Sequence, residues 1–208
     1  MGEMLDIYDE NMNYLGVKER AAVHRDGDWH RVFHCWVIYR DSAGQDFMIL
    51  QMRGPDKDIF PNRLDVTVGG HYAAGETMAD GVREIEEELG IKVAFDDLIP
   101  VGVRVTVAQY NGLIDLQFAD NFLLVNDTPI QDYAYQQEEI SGLVALNIDE
   151  ALALCTGERE TIHAQAVGLG TSPIEISMKH FIPVVDQPFY KALVVAKRCL
   201  NGEKYLIL

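Results

Sequence analysis

Three glutamates, Glu84, Glu87 and Glu88, stand at i, i+3 and i+4, the spacing that gathers side chains on one face of a helix. Arg83 comes four residues before Glu87 and can orient it. Like charges placed this way repel, and an i,i+4 pair weakens an isolated helix by about 0.2–0.5 kcal/mol. The cluster makes physical sense when a divalent cation neutralises it. All-carboxylate oxygen ligation suits a hard ion, Mg²⁺ first and Mn²⁺ second. The plainer alternative is a solvated acidic helix face.

The flanking residues predict a helix over 77–89. Thr77 and Asp80 have the spacing of a capping box, and Gly90 stands where a left-handed cap belongs. At about 100° per residue, Val82, Ile85 and Leu89 share a stripe that faces the core, and Glu86 points to solvent.

The segment resembles the Nudix box, which reads Gly, five residues, Glu, seven residues, Arg-Glu, an aliphatic, any residue, Glu-Glu, any residue, Gly, an aliphatic. Gly70, Glu76, Arg83, Glu84, Ile85, Glu87, Glu88, Gly90 and Ile91 match in order, with six residues instead of seven between Glu76 and Arg83. The resemblance implies that Glu84, Glu87 and Glu88 ligate Mg²⁺ on a diphosphate, that Arg83 positions them and that Glu76 braces the loop. The chemistry is metal-assisted attack of water on phosphorus. Glu139 stands where related sequences place a glutamate before an aliphatic and is a candidate general base; a solvated loop acid is the alternative.

A wider stretch, over about 24–154, resembles the isopentenyl-diphosphate isomerase-like branch of the superfamily. The shared residues are Trp29-His30-Arg31-Val32-Phe33, Phe60-Pro61-Asn62-Arg63-Leu64 and Gly70-His71. The resemblance makes His24, His30 and His71 a possible second metal site. It places Gly69 at the catalytic cysteine position, and Asp115 and Gln117 at those of two glutamates. A glycine cannot move a proton, so isomerisation by that route is not expected. No role is assigned to His34, His163 or His180. Arg53, Lys57, Arg63 and Arg104 are the cations nearest the expected cleft. Arg53, Arg63 and His71 are taken as substrate-binding. Trp29, Tyr72 and Tyr110 could stack on a base or an isoprenoid, or simply pack the core.

The elements that must position these residues read as follows. A hairpin is expected over 6–14 and a short helix over 17–24. Strands are expected over 31–39, 46–52, 64–68, 98–108, 116–124 and 143–146. Helices are expected over 149–155 and 187–200. This is an α+β chain: an α/β/α sandwich with a mixed central sheet, a short N-terminal hairpin and a C-terminal helix. One domain is expected over 1–208, with its core at about 30–156 and terminal extensions over 1–29 and 157–208.

The formal net charge is −16 over 208 residues, a poor match for a nucleic-acid backbone. An acidic protein that handles an anionic substrate needs local positive charge, and a bound metal supplies it. No stretch is long enough to span a bilayer, and Met1-Gly2-Glu3-Met4-Leu5-Asp6 lacks the basic flank of a signal peptide. Cys35, Cys155 and Cys199 form no CxxC pair, which fits a reduced, cytoplasmic setting. The expected partner is a small-molecule diphosphate, a nucleoside diphosphate derivative or another organic diphosphate. No nucleic acid or membrane is expected, and a homodimer is possible. The competing readings are the isomerase and a non-catalytic nucleotide-binding domain.

Overall fold

The computed structural model describes residues 2–57 and 59–208; Met1 and Asp58 lie outside it. The chain runs β1 (Met4–Tyr8), β2 (Tyr14–Glu19), α1 (Arg20–Asp26), β3 (Trp29–Arg40), β4 (Asp46–Arg53), β5 (Leu64–Asp65) and β6 (Val68–His71). It continues through α2 (Arg83–Leu89), β7 (Ile99–Tyr110), β8 (Leu113–Val125), β9 (Ile140–Asn147) and α3 (Ile148–Cys155). It ends with β10 (Ile162–Val167), β11 (Ile174–Ile176) and α4 (Pro188–Leu200). Among the described residues the strands form one mixed sheet with an ordered path β11-β10-β9-β4-β3-β1-β2. Strands β5, β6, β8 and β7 attach to it through β4 and β3.

The centre of the sheet is β3, whose run of aromatic and β-branched residues is covered on both faces. Side chains alternate along it. Trp36 and Ile38 enter a core with residues of α3 and α4, whereas Phe33, Cys35 and Val37 enter another with Ile85 and Leu89 of α2. This is the expected sandwich. β3 pairs in parallel with β8 from Trp29↔Leu116 to Ile38↔Val125. On its other side β3 meets β6 over Val32↔His71 to Cys35↔Val68, then β4 over Val37↔Ile49 to Arg40↔Asp46.

Several elements differ from the sequence reading. The residues before Arg83 are not α-helical: Asp80–Val82 winds as a 3₁₀ turn. Half of the capping box forms, with Asp80 accepting from the Thr77 amide, but the Thr77 hydroxyl also donates to Asp80 instead of capping a backbone amide. The helix α2 is therefore 7 residues long, too short to persist on propensity alone. Tertiary packing holds it, through Ile85 and Leu89, both wholly buried. The helix expected over 17–24 begins later, because Val17 and Lys18 pair with β1, and it closes on Gly27 at φ 73°. The strand expected over 64–68 is broken at Val66 and Thr67, where Thr67 Oγ1 accepts the Val37 amide. The sheet also continues past 156, since β10 pairs with β9.

Candidate active site

Arg83 is the hub of the site. Its Nε donates to Glu76 Oε1 at 2.8 Å, and its Nη2 to Glu76 Oε2 at 3.0 Å and to the His71 carbonyl at 2.9 Å. Its Nη1 lies 2.7 Å from Glu84 Oε1 and 3.2 Å from Glu87 Oε2. Glu76 also accepts the Ala73 amide, so it ties the loop to the helix. The shortened spacing between Glu76 and Arg83 is taken up by the 3₁₀ turn, and the pair still meets.

The three helix glutamates sit in different surroundings. Glu87 is exposed, whereas Glu84 and Glu88 are 9% and 4% exposed. Gly69 and Gly70 of β6 make this possible. A Cβ on Gly70 would lie 2.1 Å from the Glu84 carboxyl carbon, and the Gly69 amide donates to Glu88 Oε2 at 3.2 Å. Burial pushes the Glu84 carboxyl up to about 7 even with Arg83 beside it. Burial, and then the neighbouring Glu84, push Glu88 well above the ordinary carboxylate range. Two buried acids side by side are a costly arrangement unless a cation joins them.

Glu139 reaches the same cleft from the turn before β9, where its Oε2 lies 2.5 Å from Lys57 Nζ. That turn is fastened to α2 by the Gln136 amide, which donates to the Glu88 carbonyl at 3.1 Å. Arg53 also lines the cleft but is engaged, donating to Asp65 Oδ2 at 2.8 Å and to the Ile59 carbonyl at 3.0 Å. The cleft itself encloses about 890 Å³.

His24 from α1 and His71 from β6 line the cleft, and His30 from β3 is wholly buried against both rings. Each offers a ligand atom within 4.8 Å of the others. Asp115 from β8 joins them, its Oδ1 lying 3.6 Å from His24 Nε2 and 3.4 Å from His30 Nε2. Outer contacts fix two of the rings: His24 Nδ1 lies 3.1 Å from the Arg20 carbonyl and His30 Nδ1 3.1 Å from that of Asp28. Orientation of this kind leaves the other ring nitrogen free to bind a metal. The inner atoms His30 Nε2, His71 Nε2 and Asp115 Oδ1 are buried without partners. Burial lowers the pKa of His30 and His71, which keeps both rings in the neutral, ligating form.

The family model described as NUDIX domain matches residues 28–165. The chain belongs to the Nudix family. An uncharacterized Nudix hydrolase of Clostridium acetobutylicum is 39% identical over 163 residues, covering 78% of this chain and 79% of its own length. Nudix hydrolase 3 of Arabidopsis thaliana is 34% identical over 154 residues, 71% of this chain but 20% of that longer protein. Among solved structures, a Deinococcus radiodurans protein superposes with a TM-score of 0.52 at 29% identity, covering 74% of this chain and 90% of that one. The Nudix membership makes this chain a hydrolase of phosphoanhydride bonds, a pyrophosphatase type of activity whose members generally use divalent metals.

The Nudix helix is chemically suited to such a metal. Its donors are hard oxygens, two of them buried, converging where a glycine pair leaves room. Other expected residues do not meet the cleft. Arg63 is not among the residues that line it. The chain reverses through left-handed Phe60 and Asn62 just before it, and Arg63 supplies its carbonyl to the Arg53 amide. Trp29 stacks on Phe118 at 4.7 Å, and Tyr72 is buried edge-on to Phe33, so both are packing residues. Tyr110 touches the cleft through Phe60, 5.0 Å away. Sequence reasoning left His34 without a role and did not see Ile182 and Val184, yet all three line the cleft. For His34 a signal existed, its two-residue alternation with His30 and Val32. For Ile182 and Val184 none did.

Proposed function

We propose that this chain is a Mg²⁺-dependent Nudix hydrolase that cleaves the phosphoanhydride bond of an organic diphosphate, with Mn²⁺ as a substitute ion. The observation that carries the reading is the burial of Glu84 and Glu88 against Gly69 and Gly70, with Glu87 beside them at the mouth of one large cleft. Glu84, Glu87 and Glu88 hold the cation, which when bound stabilises charge on the phosphoryl oxygens and lowers the pKa of water. Arg83, clamped by Glu76, fixes Glu84 and Glu87. Glu139 accepts the proton from the attacking water, with Lys57 poised beside it to meet a phosphoryl oxygen. Arg53, its charge balanced by Asp65, lines the cleft next to them, and His71 faces the substrate from the other side.

His24, His30, His71 and Asp115 are a second cation site, supported by the convergence of the three rings and by the unpartnered inner atoms of His30, His71 and Asp115. Isomerisation is disfavoured. Gly69 supplies no acid or base, and Cys35 is buried in the α2 core, where burial pushes its thiol far up. None of the helices among the described residues is long and apolar enough to cross a membrane. A cytoplasmic location, one domain over 1–208 and a homodimer belong to the same proposal.

The test is equilibrium dialysis of metal-stripped protein with Mn²⁺, read by elemental analysis. Two ions per chain are expected, falling to one in His30→Ala and to one in Glu84→Gln. Failure of either variant to lose an ion removes the corresponding site.

A further inference from the structure

One part of the cleft is not built by the Nudix box. Its floor is the sheet face where Val32, Ala119 and Arg104 form a row across β3, β8 and β7, and His34 follows Val32 on that face. The His34 ring lines the cleft beside Gly69: a Cβ on Gly69 would stand 3.4 Å from its Cδ2. Gly69 in turn binds Glu88, so His34 lies one residue away from the carboxylate cluster. Its Nδ1 is buried with no hydrogen-bond partner, and so is the hydroxyl of Thr106, which lines the same cleft from β7. Buried polar atoms are nearly always paired. Thr106 is level with His30 through Gln117, two rows from His34, so at this end of the floor His34 alone points to a partner that a ligand supplies.

The character of that ligand follows from the surrounding charges. Arg104 is held by Asp186 through two contacts of 2.7 Å, and Arg53 by Asp65. The two guanidinium charges are thus already balanced, and among the described residues of this floor a further phosphate would find no free cation. Burial pushes the His34 imidazole down to about 4, so it is neutral near pH 7 and presents a hydrogen-bonding nitrogen. The walls are apolar. Ile182 and Val184 come from the segment before α4, which the Ile182 amide ties to the Leu64 carbonyl, and Phe60 faces in at φ 49°.

We infer that His34 is the specificity residue that reads the group carried by the diphosphate. That group is uncharged, partly apolar and able to hydrogen-bond. A nucleobase or a hydroxylated organic group meets this description; a further phosphate or a plain hydrocarbon does not. The inference rests on the hydrolase reading above.

The two are separable by measuring binding apart from turnover. Glu87→Gln, with Mg²⁺ in excess, is titrated calorimetrically with ADP-ribose, glycerol diphosphate, dimethylallyl diphosphate and inorganic tripolyphosphate. Either of the first two should bind at least about tenfold tighter than dimethylallyl diphosphate, and which one does so names the source of the group. Adding His34→Leu should weaken that ligand by about tenfold or more and tripolyphosphate by under about twofold, whereas Thr106→Val, two rows away, should change neither by more than about twofold. His34→Asn, which restores a donor near the Nδ1 position, should recover most of the loss. Equal weakening of tripolyphosphate, preference for the hydrocarbon, no binding by an organic diphosphate, or no rescue by asparagine would each overturn the assignment. Loss of the hydrolase reading would show elsewhere, as a wild-type protein that binds these ligands and releases no phosphate.

Discussion

Arg83 Nε and Glu76 Oε1 lie 2.8 Å apart, although the segment joining them is one residue shorter than the family's box. The guanidinium holds the Glu76 carboxyl below the ordinary carboxylate range and spans from the loop to Glu84 and Glu87. Glu76→Gln removes one charged partner of Arg83 and frees its fork to move. Turnover should fall by about 10- to 100-fold, as for other residues that orient metal ligands, with the fold retained. Steady-state kinetics together with a thermal melt check both parts.

Gly70→Ala tests the space around Glu84. The new Cβ would fall within 2.4 Å of both carboxylate oxygens and the carboxyl carbon, so the side chain must leave its position. Metal affinity should drop by about 10-fold or more, read by calorimetric titration with Mn²⁺. Unchanged affinity would mean that Glu84 is not a ligand in this geometry.

The Arg104–Asp186 pair fastens the segment carrying Ile182 and Val184 to β7, and the Arg104 hydrogen bond lowers the Asp186 pKa. A depressed native carboxyl contributes stability that is present above its unfolded value, about 3.9, and lost as pH falls through the native value. Asp186→Asn should therefore melt below wild type at pH 7, and the gap should close as the pH falls below 3.9. Melting curves across that range decide it; a gap that persists at the acid end would point to packing instead of charge.

Much of this site was legible in local sequence. The box placed Glu84, Glu87 and Glu88 on one face of a helix expected over 77–89, because helical periodicity is a local property; the helix begins only at Arg83. Asp115 could be placed near the histidines only through a family resemblance, since a strand residue meets its partners by register across the sheet. Arg63 shows the limit from the other side. It lies among cleft residues in sequence, just after the left-handed turn at Phe60 and Asn62, yet it is not part of the lining. The strand β10 depends on pairing with β9, β11 on β10, and the placing of Ile182 on the Leu64 carbonyl of β5, a contact between residues far apart along the chain.

Glu87 is exposed, so replacing it with glutamine should leave the fold intact while removing one charge from the proposed metal cluster. Turnover should fall by about 10²–10³-fold, with a melting temperature close to wild type. A melt that collapses would assign Glu87 a structural role.

The most direct test is phosphate or pyrophosphate release from nucleoside diphosphate derivatives and isoprenoid diphosphates, with and without Mg²⁺. Release that needs the metal, from at least one organic diphosphate, and that is lost in Glu87→Gln, is the expected result. Release that persists after chelation, or wild-type turnover in Glu87→Gln, would contradict the assignment of the carboxylate helix as the metal centre.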